Sequence, residues 1–239
     1  MCNDIDRFYK LIEKLKGICC QCLDQRSWEQ ITLRNVDGYN RYWKKCRKGI
    51  YLFFDLNEKR SHGKNLRVVR VGTHGTKKGG GKSTLWKRIG QHRGTVRNGG
   101  GNHRGSIFRS LVGEALIKRN GNGPATWGIG ANAPRNIRAL EGGNERVTSD
   151  YIRELPFLIV KVDDIGGRKH LEENLIALLS NINRRAIIPP CPDEPSPDWL
   201  GRYSSRDKVV NSGLWNNQGV KGKYDPRCLD KLEEYINSM

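Results

Sequence analysis

A phenol, a guanidinium and an imidazole fall close together in the chain, on segments whose patterns would bring them to a common surface. Tyr51 closes the tripeptide Gly49-Ile50-Tyr51, and Arg88 and His92 lie in the segment Leu85 to His92. Spaced four apart, Arg88 and His92 share one face of a helix. Such a set binds an anion through the guanidinium and moves a proton through the imidazole or the phenol. The elements that must position it follow from pattern. Lys48 to Phe54 is a short apolar and aromatic run that reads as a strand, with Ile50, Leu52 and Phe54 on one face and Tyr51 and Phe53 on the other. A polar turn (Asp55 to Asn65) separates it from a second strand, Leu66 to Gly72, and a glycine- and lysine-rich loop then leads into the helix.

The 239 residues carry a formal net charge of +18, and the charge is concentrated. Between Arg41 and Arg104 there are 18 Lys or Arg residues against Asp55 and Glu58 alone, a formal +16. A patch of that density attracts a polyanion and releases its counterions on binding. Nucleic acid is the favoured partner, with an anionic membrane surface a poor second, and Lys77, Lys78, Lys82, Arg93 and Arg104 are the expected phosphate contacts. No apolar run reaches the length of a membrane span and no cleavable leader stands out, so the expected location is cytoplasmic. Seven cysteines, an odd number with no framework spacing, fit a reducing compartment. Cys19, Cys20 and Cys22 crowd together, but without a second metal-type pair they read as incidental rather than as a zinc site.

Along the chain, Ile5, Phe8, Leu11, Ile12 and Leu15 keep a helical period, and Tyr39, Tyr42 and Trp43 interleave with cations. From Gly72 to Gly105 there are 11 glycines in 34 residues, a stretch whose backbone N–H groups suit phosphate. Ser106 to Arg119 reads as a helix with Ser106 as N-cap, and Asn120 to Gly143 as a long irregular stretch. Phe157 to Val162 is nearly all apolar and is expected to be a central strand. His170 to Asn181 reads as a helix, and a run of five prolines between Pro189 and Pro197 ends it. Trp199, Leu214 and Trp215 fall in loops before a closing helix from about Pro226 to Ile236, and this tail reads as a structural or dimerising appendage.

This order resembles the GIY-YIG nuclease family. Gly49-Ile50-Tyr51 matches its first tripeptide, Arg70-Val71-Gly72 falls where the second belongs, Arg88 matches the helix arginine, and His92 is similar to the histidine of its restriction-enzyme branch. Leu171 to Ile176 resembles the metal-binding helix, with Glu172 at the ligand position, and Asn183 fits the asparagine beyond it. The family's second tyrosine is replaced by Arg70, which stays protonated and so binds phosphate rather than relaying protons. The resemblance implies an α/β (α+β) fold: a small three-stranded sheet flanked by helices. Residues 1–48 would then be an N-terminal helical extension. Residues 49–185 would be the core, with a long insertion around 120–147, and 186–239 a C-terminal extension. The implied activity is metal-dependent endonuclease cleavage of DNA, double-stranded DNA favoured, of restriction or phage-defence type, with a homodimer left open by the sequence. Tyr51 would take the nucleophile's proton, Arg70 and Arg88 would hold phosphate, and His92 would relay a proton. Glu172 would hold Mg²⁺ or Mn²⁺, and Asn183 would orient a neighbour.

Each residue also has an ordinary structural reading. A strand tyrosine is most often a packed aromatic, Arg88 and His92 fit a solvated helix face, and Glu172 and Glu173 suit a first helical turn. A catalytically inactive nucleic-acid-binding module on the same scaffold is one alternative. A P-loop NTPase is the other. Gly79 to Thr84 ends like a phosphate-binding loop, but the residue five before Gly81 is Thr76, not glycine.

Overall fold

The computed structural model describes residues 1–38, 46–61, 63–76 and 84–239. Its sheet is small and antiparallel throughout. β1 (Gly49–Lys59) runs between β2 (Leu66–Thr73) and β3 (Phe157–Lys161), in the order β2-β1-β3. The α/β class and the three strands are as expected, but β1, not Phe157–Lys161, is central. Continuous apolar character reports burial of both faces, which β3 has, and is silent on the order of strands. β1 also continues through Asp55 to Glu58, read above as a turn. Those acids are buried beside partners: Asp55 accepts from the Tyr151 hydroxyl at 2.8 Å, and Glu58 meets Arg67 at 3.0 Å.

Eight α-helices surround this sheet among the described residues. α1 (Cys2–Leu23) buries Ile5, Phe8, Ile12 and Leu15 on one stripe and ends at Asp24, whose left-handed backbone (φ 53°) lets its N–H reach the Gln21 carbonyl. α2 (Leu85–Arg93) is capped by Thr84, whose hydroxyl accepts from the Lys87 N–H, and buries Leu85, Ile89 and His92. α3 (Ile107–Asn120) is capped by Ser106, as its sequence predicts.

α4 (Arg135–Glu154) replaces much of the expected irregular stretch. Its buried face is Glu141, Glu145, Thr148, Ser149, Ile152 and Arg153, so apolar periodicity could not reveal it. Glu141 pairs with Arg104, and Glu145 with Arg109 and His103, which makes a polar helix face buriable. α5 (Ile165–Leu179) starts at Asp164, whose carboxylate accepts from the Gly167 N–H at 2.5 Å, and packs against β2. α6 (Asn181–Arg185) and α7 (Asp207–Ser212) are short, and α8 (Cys228–Asn237) packs Leu229, Leu232 and Ile236 near α1 and β3.

The tail is part of the same core rather than an appendage to it. Trp199 and Trp215 are fully buried with ring centroids 5.3 Å apart. The Trp215 N–H donates to Val69 at 2.7 Å, and the Asn216 amide makes two bonds to the Val71 backbone, so this segment covers the outer edge of β2. A β-bulge at Val69, between the Phe53–Arg70 and Phe54–Val68 pairs, accompanies that contact. Cys2 and Cys191 form a disulfide with Cα atoms 5.9 Å apart, contrary to the expectation from spacing. The fold joins residues 189 apart, which chain spacing cannot disclose. No helix among the described residues is long and apolar enough to cross a membrane.

Candidate active site

β1 and β2 set the first half of the site through their register. Tyr51 pairs with Gly72 and Phe53 with Arg70, so these four residues share one face of the sheet. The Tyr51 phenol lies across Gly72, and a Cβ at that position would overlap the ring, which is why the strand needs glycine there. α2 and α3 then close over the phenol. Tyr51 Oη is 2.8 Å from His92 Nε2, and His92 Nδ1 is 2.8 Å from Ser106 Oγ. The Ser106 hydroxyl also accepts from the Arg109 N–H at 3.3 Å, so one cap residue orients the imidazole and starts α3. Burial, followed by the charges of Arg70, Arg88 and Arg109, holds the His92 pKa well below its ordinary value, so the ring is neutral near pH 7. One of its nitrogens donates and the other accepts.

The second half is a cleft of about 710 Å³, bordered by Arg70, Arg88, Glu172 and the segment Asn216 to Gly219. Arg70 donates to the Trp215 carbonyl and lies 4.8 Å over the Phe108 ring. Arg88 donates to Gln91 Oε1 at 2.9 Å and to the Gly105 carbonyl at 3.2 Å. Glu172 Oε1 accepts from the Thr73 N–H at 3.0 Å, joining α5 to the end of β2. Its other oxygen has no hydrogen bond among the described residues. Burial pushes the Glu172 pKa up, opposed first by Arg70 and then by the Thr73 N–H.

The family model described as GIY-YIG domain matches residues 1–239. The chain belongs to the GIY-YIG domain family. A search of curated proteins and a search of solved structures each found no match. Membership implies a nuclease acting on DNA, with a divalent metal ion in general use across the family.

Within this GIY-YIG domain, the fold brings Arg70, Arg88 and Glu172 to one cleft and sets Tyr51 and His92 side by side in the interior, at 1% and 0% exposure. Asn183 is elsewhere: its amide donates to the Ala177 and Gly222 carbonyls, tying the end of α5 to the tail. Arg104 is enclosed by both Glu141 oxygens and the Ile129 carbonyl, and Arg93 grips Asp37 at the surface. Lys77, Lys78 and Lys82 lie outside the described residues, as do the aromatics from Tyr39 to Trp43 and most of the phosphate-loop-like segment. Thr84 is described and acts as a helix cap, and the antiparallel sheet lacks the parallel crossover that the NTPase reading needs.

The donor set fits a hard divalent ion. Glu172 offers one free carboxylate oxygen to the cleft, and no cluster of three or more His, Cys, Asp or Glu suited to a metal occurs among the described residues. A single carboxylate is what Mg²⁺ accepts when waters and substrate phosphate fill its remaining positions.

Sequence reasoning missed Ser106 as the partner of His92, and it missed Arg109. That guanidinium is fully buried, bound to Glu145 and Ser149, and donates to the His92 carbonyl at 2.9 Å. A charged residue amid the apolar set of α3 was the available signal. Asn216 carried none.

Proposed function

We propose that the chain is a metal-dependent endonuclease that hydrolyses phosphodiester bonds of double-stranded DNA. The observation that carries this reading is the convergence of Arg70, Arg88 and Glu172 on one cleft, with a hydrogen-bonded Tyr51–His92 pair built from the neighbouring strand and the helix that carries Arg88. Arg88 holds the scissile phosphate and Arg70 an adjacent phosphate oxygen. Glu172 is the residue that would hold Mg²⁺ or Mn²⁺, and such an ion, when bound, supplies charge for the phosphate and the leaving oxygen. Tyr51 takes the proton of the attacking water. A phenol with an ordinary pKa near ~10 does this only if its own proton has somewhere to go. Neutral His92, with Nε2 as acceptor and Nδ1 donating to Ser106, is placed to receive it. The segments 1–48 and 186–239, though they share the core, enlarge the protein beyond the three strands and their nearest helices, which suits a restriction or phage-defence role.

The burial of Tyr51 favours one rival: an inert DNA-binding module in which the Tyr51–His92 pair is only core. Plasmid cleavage with Mg²⁺ or Mn²⁺ separates the two. Cutting by the native chain that is lost in Glu172→Ala and in Tyr51→Phe supports the nuclease. Salt-sensitive DNA binding without cleavage of any plasmid or genomic DNA, in all three proteins, supports the module.

A further inference from the structure

The tail supplies two side chains to the cleft that no catalytic role absorbs. Residues 215 and 216 are fixed by the Trp215 bond to Val69, the paired Asn216–Val71 bonds and the Arg70 contact to the Trp215 carbonyl. Beyond the tip, Gly219 takes φ 79°, where a Cβ would press on Ile176, and the Val220 carbonyl accepts from Ser180 Oγ at 2.7 Å. Asn217 and Gln218 therefore form a two-residue tip with both ends clamped. Both border the cleft, Asn217 half-buried and Gln218 exposed. Neither amide has a hydrogen bond among the described residues. The remaining polar wall is mostly charged: Arg70, Arg88 and Lys169 against Glu172 and Glu173. Charged groups serve phosphate and metal. A neutral amide can donate to a phosphate, but only a base edge uses its donor and its acceptor together.

We infer that Asn217 and Gln218 read a base edge beside the cut, with adenine as the matching base, an assignment that rests on the DNA-cleaving reading of the same cleft. Adenine shows an N6 donor and an N7 acceptor in the major groove, the complement of a side-chain amide. The clamped tip holds the amides in place before DNA arrives, which lowers the ordering cost of the contact.

The test uses a duplex library randomised over the protein's footprint. Sequences are recovered from two arms, cleavage in Mg²⁺ and binding in EDTA, for the native chain, Asn217→Ala, Gln218→Ala and the double variant. The expected native result is a preference for adenine at one or two positions, falling at least about tenfold in the double variant. The slope of log affinity against log salt should stay constant, because no cation is removed. Neither side chain has a hydrogen bond among the described residues, so melting temperatures should match. A native protein without sequence preference, a preference untouched by the double variant, or an equal loss on every sequence would overturn the assignment. If the native chain binds selected sequences and cuts none, the nuclease reading fails, and the binding arm alone decides what the tip does.

Discussion

The Tyr51–His92–Ser106 chain is sealed from solvent, whereas Glu172 and Arg88 face a cleft of about 710 Å³. In the sealed half each group must find its partner within the protein, because an unpaired polar atom there costs about 1–3 kcal/mol. His92 accordingly uses both ring nitrogens, and Ser106 serves a helix and an imidazole together. In the open half valences are left over among the described residues: one oxygen of Glu172 and the amides of Asn217 and Gln218. The sealed half can set orientation and proton affinity, and the open half can hold phosphate and metal. Substitutions in the first should therefore disturb folding and chemistry together, and those in the second chemistry alone.

The largest separation is expected at Glu172. Glu172→Gln keeps an oxygen for the Thr73 N–H but no charge for a metal, so cleavage should fall at least about a hundredfold, a loss of several kcal/mol in the transition state. Stability should hold or rise. The folded pKa of this carboxyl lies above its ordinary value, so the native state binds more protons in that interval and its stability declines as pH rises through it. The uncharged amide escapes that cost. A melting temperature that drops along with activity would place Glu172 among the structural residues and undo the contrast.

Tyr51→Phe tests the opposite side. Removing the hydroxyl leaves His92 Nε2 unpaired, so unfolding in urea should show a loss of about 1–3 kcal/mol. Cleavage should fall by about 10²–10⁴, the range for losing a general base. Loss of activity with full stability would mean that the phenol is less enclosed in solution than its 1% exposure implies.

The same contrast explains what sequence could disclose. Tyr51, Gly72, Arg88 and His92 were legible because strand alternation and helical spacing are local, and Ser106 was legible as a cap for the same reason. α4 was not, because its buried stripe is Glu141, Glu145, Thr148 and Ser149, polar residues that become core only through partners on α3 and the preceding loop. The extension of β1 past Asp55 was hidden likewise by Tyr151 and Arg67. Trp199 and Trp215 looked like loop residues because irregular backbone has no period, yet they anchor the sheet edge. Proximity across 99 residues, as between Thr73 and Glu172, came from family order and not from any property of the residues themselves.

A smaller effect should appear in acid. His92 titrates well below its ordinary value, and His74 is lowered to about 4, in both cases mainly by burial. Below pH ~6.5 the unfolded chain therefore binds more protons than the native one, so stability is full above that pH and is lost as pH falls. The slope approaches about 1.4 kcal/mol per pH unit for a fully buried group such as His92. Urea titrations at pH 7.5, 6.5 and 5.5 should show it, and His92→Gln should flatten it. An unchanged slope in that variant would assign the acid sensitivity to His74 or to the carboxylates.

The smallest expected effect distinguishes two arginines that the sequence treats alike. Arg104 is 5% exposed at its side chain, with both Glu141 oxygens on its guanidinium, and Glu141 is 2% exposed. Arg93 meets an Asp37 that is 74% exposed. An exposed pair contributes about 0–1 kcal/mol, so Arg93 can exchange Asp37 for a phosphate at little cost. Arg104 would have to abandon a buried carboxylate to do so. Arg93→Ala should leave the melting temperature nearly unchanged and reduce the salt slope of DNA binding by about one. Arg104→Ala should lower the melting temperature and leave the slope as it was. If Arg104→Ala instead changed the slope at constant stability, its pairing with Glu141 would have to open on DNA, and the boundary between the sealed and open regions would move to include α4.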